Sequence, residues 1–126
     1  FRELMKEHDA FLISSPEYNG SYSGLLKNVI DWASRPKDGE KPLVCFEDKT
    51  CLIMGASPGR LGGIRMLPHL RVLLSGIGVN VLAKDFSLPG AGEAFADDGS
   101  LANEQQAVHL ERVVKNLVEA SRKLKG

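Results

Sequence analysis

The sequence has little cysteine, few aromatic residues and no net charge, and each shortage removes a class of function. Cys45 and Cys51 are the only cysteines among 126 residues. Their spacing fits neither a redox CxxC pair nor a zinc ligand set, so both read as buried or half-buried thiols. His8, His69 and His109 are scattered without metal-ligand spacing, and no metal is expected. Sixteen Lys and Arg balance sixteen Asp and Glu, so the charge does not point to capture of nucleic acid or of an acidic membrane surface. No apolar run approaches the length of a membrane span. The first residues mix charge with apolar side chains and show no signal-peptide pattern, which makes the cytoplasm the default location. Glycines cluster, but neither the GxGxxG dinucleotide fingerprint nor a Walker lysine pattern is present.

What the chain does contain is ordinary for one soluble domain. Hydrophobic residues make up 43% and charged residues 25%, and the length suits a single core spanning residues 1–126. Phe1, Leu4 and Met5 stand at i, i+3 and i+4, like the last turns of a helix already under way. The expectation from this start is a chain cut at its amino end. Ala10 to Ser15 is a short apolar run that reads as a buried parallel strand. A helix follows from Ser23, a good N-cap, with Leu25, Leu26, Val29, Ile30 and Ala33 on one side, and Pro36 closes it. Thr50 to Met54 is the second strand. The next helix carries Leu67, Leu70, Leu73 and Leu74 and stops at Ser75-Gly76; Pro68 either kinks it or lies in its first turn. Val79 to Leu82 is the third strand, and Ser87 to Ser100 is a glycine-rich loop. The last helix begins near Asn103 and buries Ala107, Leu110, Val114, Leu117 and Leu124.

Strands alternating with helices predict a doubly wound parallel α/β sheet. In such sheets ligands bind beyond the carboxyl ends of the strands. The two loops richest in Gly, Ser and Asn fall at that position. Gly20, Gly55, Gly59, Gly62 and Gly63 let backbone amides approach a flat or anionic ligand. Asn19, Ser21 and Ser57 add small hydrogen-bonding side chains, and Tyr18 adds an aromatic face. This mixture suits a flavin, with polar groups for the edge of its pyrimidine ring and an apolar surface for the rest. Read from the residues alone, these loops are either that site or ordinary turns.

Ser15-Pro16-Glu17-Tyr18-Asn19-Gly20-Ser21, followed by the run from Gly24 to Pro36 (GLLKNVIDWASRP), resembles the signature of the NADPH-dependent FMN reductase family. That family includes quinone, chromate and azo-dye reductases on a flavodoxin-like fold. Gly55-Ala56-Ser57-Pro58-Gly59 with Gly62-Gly63, and then His69-Leu70-Arg71, resembles its second flavin loop and the helix behind it. Phe95 to Leu101 is similar to its lead-in to the final helix. The resemblance implies a flavodoxin-like, three-layer α/β/α domain, amino-terminally incomplete. It implies FMN as cofactor and NAD(P)H as co-substrate, with hydride passing by a ping-pong route to a quinone, free flavin or similar small-molecule acceptor. Pro16, Glu17, Tyr18, Asn19, Gly20 and Ser21 would line the isoalloxazine, and Ser57, Gly59 and Gly62 would approach its other side or the pyrimidine edge. The flavin carries the chemistry, so no catalytic acid, base or nucleophile is expected. The family's oligomeric habit implies a homodimer or homotetramer.

Within this resemblance Leu25, Val29 and Ile30 are expected in the core, Trp32 in the core or an interface, and Arg71 in an interface ion pair or as a surface charge. One departure stands out. The Ser/Arg/Asn-rich turn with which the family holds the FMN phosphate has no match here. The chain as given is therefore expected to bind FMN poorly beside a longer parent, and with the family's first strand also missing the strand from Ala10 is expected to have an unpaired edge and a tendency to associate. Two other functions compete with the reductase: a flavodoxin-type electron carrier, disfavoured by the zero net charge, and a flavin-free remnant serving as an interaction domain.

Overall fold

The computed structural model describes every residue from Phe1 to Gly126. β2 (Thr50–Ala56) is the central strand, and its first four residues are fully buried. Such a run without alternation belongs to a strand covered on both faces. β1 (Ala10–Pro16) lies parallel to it in unbroken register, from Ala10 opposite Thr50 to Pro16 opposite Ala56. The other edge of β2 is shared by two short parallel strands. β3 (Asn80–Val81) pairs with Thr50 and Cys51, and β4 (Phe86–Leu88) pairs with Met54 to Ala56. The outer edge of β1 has no strand partner within the chain.

The expected third strand is thus shorter than Val79 to Leu82, and a fourth forms where the glycine-rich loop was to begin. The cause is visible in Arg71. Its guanidinium donates to Leu82 O at 2.5 Å and to Val81 O at 3.4 Å, and it pairs with Asp85 Oδ2 at 3.0 Å. Carbonyls held by an arginine no longer continue the ladder, so the strand breaks at residues 82–85 and resumes at Phe86. Arg71 is not a free surface charge, since its ion pair forms within the chain. It is an internal clamp.

Side chains of β2 alternate between two cores, which makes the fold three layers deep. Cys51 and Ile53 face α2 (Gly24–Ala33) and α3 (Met66–Gly76), packing with Ile30, Ala33, Met66, Leu67, Leu70 and Leu74. Leu52 faces α4 (Glu104–Lys125) on the opposite side, with Phe86, Leu88, Val113 and Leu117. The caps agree with the sequence: Ser23 Oγ accepts from Leu26 N at 3.1 Å, and Asn103 Oδ1 accepts from Gln106 N at 3.0 Å. Pro68 occupies the first turn of α3, where a missing N–H costs nothing.

Three expectations of core packing, those for Leu25, Val29 and Leu124, are overturned. α2 packs through the stripe Leu26, Ile30 and Ala33, spaced i, i+4, i+7, and the neighbouring stripe therefore turns outward. Leu25 and Trp32 are 77% and 72% exposed, and Val29 is exposed too. α4 has 22 residues and at 1.5 Å per residue is about 33 Å long. It outruns the sheet, so Leu124 is exposed while Lys125 pairs with Asp9 at 2.7 Å.

The largest surprise is residues 43–48. No helix or strand forms there, yet Cys45 and Phe46 are fully buried, and the Phe46 ring meets Phe11 edge to face at 6.1 Å between centroids. Both thiols are buried as expected, and burial pushes Cys51 up to about 12. No helix is long and apolar enough to cross a membrane.

α1 (Arg2–Glu7) is fastened mainly by charge. Met5 packs on the core while Phe1 and Leu4 stay exposed. Lys49 Nζ donates to the carbonyls of Lys6 and His8 at the end of this helix. Glu40 receives Arg2 and Lys6 together. The Lys6 ammonium and the Lys37 amide, with Arg2 behind them, hold the Glu40 carboxyl down to about 2. A folded-state value below the reference value of 4.5 stabilises the fold above the reference, and that contribution is lost as pH falls toward the folded value. Lowering pH from about 6 to about 3 should therefore lower the denaturation midpoint, and Glu40→Gln should flatten part of that fall. A variant whose acid sensitivity equals that of the parent would contradict the assignment.

Candidate functional site

Three strands end side by side. Pro16 is the register partner of Ala56, and Ala56 that of Leu88. All are carboxyl ends of parallel strands, the position at which open α/β sheets bind ligands. Three loops leave from this line, after β1, β2 and β4.

The first loop folds back on itself. Tyr18 N donates to Ser21 O at 2.9 Å and Ser21 N to Tyr18 O at 3.1 Å. Asn19 and Gly20 have φ of 53° and 77°, the two left-handed positions of a type I′ turn, for which Asn-Gly is the favoured pair. The turn leaves Tyr18 62% exposed, with Pro16 and Asn19 also open. Ser21 Oγ lies 3.4 Å from His69 Nδ1 on α3.

The second loop is knitted to the third. Ser57 N donates to Leu88 O at 3.2 Å, Ala91 N to Ser57 O at 3.0 Å, and Gly90 N to Gly59 O at 3.2 Å. In the first two loops the amides of Asn19, Gly20, Gly59, Arg60 and Leu61 are among those that donate to no backbone carbonyl. Gly59 and Gly20 have open space where a side chain would stand. Free amides on exposed loops, small side chains and one exposed aromatic ring are what the polar edge and flat face of an isoalloxazine require. To this extent the residues present fit FMN.

Gly62 does not join them. It is buried at φ 58°, and a Cβ there would lie 2.5 Å from Pro89 N and 2.8 Å from the Leu88 carbonyl carbon. Its missing side chain is taken up by the third loop, so internal packing accounts for this glycine.

Glu17 also turns away from the rim. Its side chain is 6% exposed, with Oε1 facing the Arg65 guanidinium at 2.5 and 2.7 Å. Oε2 accepts from the amides of Arg65 at 3.1 Å and Met66 at 3.2 Å. Burial alone would raise its pKa, but Arg65 and the two amides outweigh that and hold it below the usual glutamate range. Arg65 and His69 escaped the residue-by-residue reading of the site. The available signal was a charged rim residue in the first loop with a complementary arginine just ahead of α3.

None of the nine expected site residues lines the five principal cavities. The largest, about 570 Å³, lies beneath the strand ends on the α4 side, walled by Met54, Phe86, Leu88, Leu101 and Leu110. The loop residues thus stand outside this cavity.

Residues 1–93 match the NADPH-dependent FMN reductase family. The chain belongs to that family. Within it, the chain is 39% identical to an NAD(P)H-dependent FMN reductase of Pseudomonas aeruginosa, over all of this chain and 66% of that protein. It is 37% identical to an NAD(P)H:quinone oxidoreductase of Solanum tuberosum, over all of this chain and 63% of that protein. Among solved structures it is similar to FerB, an NAD(P)H:(acceptor) oxidoreductase of Paracoccus denitrificans, with TM-score 0.83 and 32% identity, covering 97% of this chain and 65% of FerB. The chain thus spans just under two thirds of the length of these family members. Their likeness agrees with the flavodoxin-like open parallel sheet.

Proposed function

We propose that this chain is the flavin-facing part of an NAD(P)H oxidoreductase that uses FMN to reduce a quinone, a free flavin or a similar small acceptor. The observation that carries the reading is the line Pro16–Ala56–Leu88, from which loops with unpaired amides and an exposed tyrosine emerge together. Family membership supports FMN as the ligand of that rim.

FMN, when bound, would supply the hydride chemistry linking NAD(P)H to the acceptor, in the ping-pong order proposed here. The chain's residues bind and orient. Tyr18 offers an apolar wall, Pro16 a second one, and the amides of Asn19, Gly20 and Gly59 offer donors to the pyrimidine edge. Asn19, Ser21 and Ser57 add side-chain hydrogen bonds. Glu17, held ionised by Arg65, is unsuited to donate a proton at neutral pH. No residue is assigned as catalytic, and none is assigned to the FMN phosphate.

A homodimer or homotetramer in the cytoplasm completes the reading. Its support is the exposed row Leu25, Val29 and Trp32 on α2, an apolar surface of the kind a second copy covers. The test is steady-state oxidation of NADPH by the flavin-loaded protein with a quinone present. Turnover with parallel-line kinetics is expected. A flavin that free NADPH fails to reduce would mark an electron carrier instead.

A further inference from the structure

We infer that Glu17 is a positioning residue that locks the first loop to the amino end of α3, and that it acts on the flavin only through the loops it holds. The inference rests on the flavin reading above and assigns this side chain a task within it. A carboxylate beside a flavin would be expected to present at least one oxygen to the rim. Here both oxygens are occupied inward: Oε1 by the Arg65 guanidinium, and Oε2 by the two amides that open α3.

The position explains the arrangement. Arg65 and Met66 are the cap and first residue of α3, whose amides have no partner within the helix; the Met66 amide is shared between Glu17 and Gly63 O at 3.2 Å. Arg65 offers no side-chain cap of its own, so the cap comes from another loop, 48 residues earlier. Glu17 stands next to Tyr18, where the type I′ turn begins, and its neighbour Pro16 ends β1. The carboxylate thereby ties the turn that presents Tyr18 and Asn19 to the helix that follows the second loop. Ser21, at the far side of the turn, meets the same helix at His69. Two contacts on α3 hold the turn at both ends, and the stronger one is ionic, with its carboxylate side buried and its Arg65 side open to water.

A clamp and a direct flavin contact make different demands on the side chain. A direct contact would act by charge, so Glu17→Gln and Glu17→Ala would shift the flavin potential alike. A clamp acts through acceptor oxygens. The amide oxygen of the Glu17→Gln side chain can still serve the two backbone amides, while its NH2 group cannot accept from Arg65. Glu17→Ala removes both functions.

The experiment measures, on wild type and both variants, the FMN dissociation constant, the midpoint potential of bound FMN and the hydrogen exchange of the Tyr18 and Ser21 amides. Glu17→Ala should raise the dissociation constant by about tenfold or more, the order expected when a binding loop is misplaced. Glu17→Gln should raise it less and leave the potential at the wild-type value. Exchange at Tyr18 and Ser21 should accelerate in the order wild type, Gln, Ala. Should the alanine variant not fold, Arg65→Met removes the Oε1 half of the clamp, and combining it with Glu17→Gln should add little, because the two losses share one interaction. Equal potential shifts in the Gln and Ala variants, or unchanged exchange and affinity in Ala, would overturn the clamp. Wild type that fails to bind FMN would defeat the flavin reading, and the exchange measurements would still decide the clamp.

Discussion

Gly62→Ala is expected to lower the thermal midpoint by about 10 °C or more, at roughly 2–8 °C per kcal/mol for domains of this size range. The residue sits at φ 58°, where a Cβ costs about 1–2 kcal/mol against the following carbonyl. That Cβ would also stand 2.5 Å from Pro89 N and 2.9 Å from Pro89 Cδ. Both are parts of a stiff backbone segment, so the clash must be relieved by moving the third loop, at about 1–3 kcal/mol. The displacement propagates to the site, because Ser57 and Gly59 are hydrogen-bonded to that loop at Leu88, Gly90 and Ala91. FMN affinity should fall with stability. Gly59→Ala is the internal control. It has ordinary φ and only Ser57 Oγ at 3.9 Å near its Cβ position, and its effect on stability should stay within about 0.5 kcal/mol. Thermal melts of the two variants side by side check the contrast, and equal behaviour would contradict it.

Phe46→Ala is the second large expectation, at about 3–5 kcal/mol of lost stability by analogy with other fully buried aromatic side chains. Phe46 is 1% exposed and anchors a segment without regular structure between the end of α2 and β2. Removing its ring takes away the edge-to-face partner of Phe11 and empties the space beneath α1. Urea denaturation should show the loss in the midpoint. Hydrogen exchange should show it in residues 43–49 before it appears in β2. A change below about 1 kcal/mol would mean that the segment repacks around the gap.

These two positions also mark where the sequence was and was not readable. β1 and β2 were legible as short apolar runs, and α2, α3 and α4 as periodic apolar patterns with a local signal at a start or end: Ser23 and Asn103 as caps, Gly76 as a stop, Pro36 as a breaker. Residues 43–48 carry no period, and burial of Cys45 and Phe46 comes from tertiary folding of an irregular loop, which no local pattern encodes. β4 was hidden for a related reason. Phe86-Ser87-Leu88 is too short to declare itself, and its separation from β3 depends on Arg71, fourteen residues before Asp85 in the chain.

The site divides along the same line. The Asn19-Gly20 turn is local chemistry, and the sequence announces it. The loops after β1 and β2 were placed correctly because strand alternation fixes which ends carry them. The orientation of Glu17 was not legible, since its partners lie 48 and 49 residues away. Gly62 was visible as a glycine, but the reason for it, a backbone crossing from the third loop, exists only in three dimensions. Leu25 and Val29 were misplaced because two adjacent apolar stripes on α2 offer either face to the core, and packing chose the stripe through Leu26, Ile30 and Ala33; Trp32, expected in the core or an interface, lies outside the core.

An FMN titration followed by amide chemical shifts tests the central claim most directly. Weak but saturable binding with the largest shifts at Asn19, Gly20 and Gly59 to Leu61 is the predicted result, since those amides have no backbone partner in the chain. No saturable binding, or shifts confined to the apolar cavity around Phe86 and Leu110, would contradict a flavin held at the rim above the strand ends.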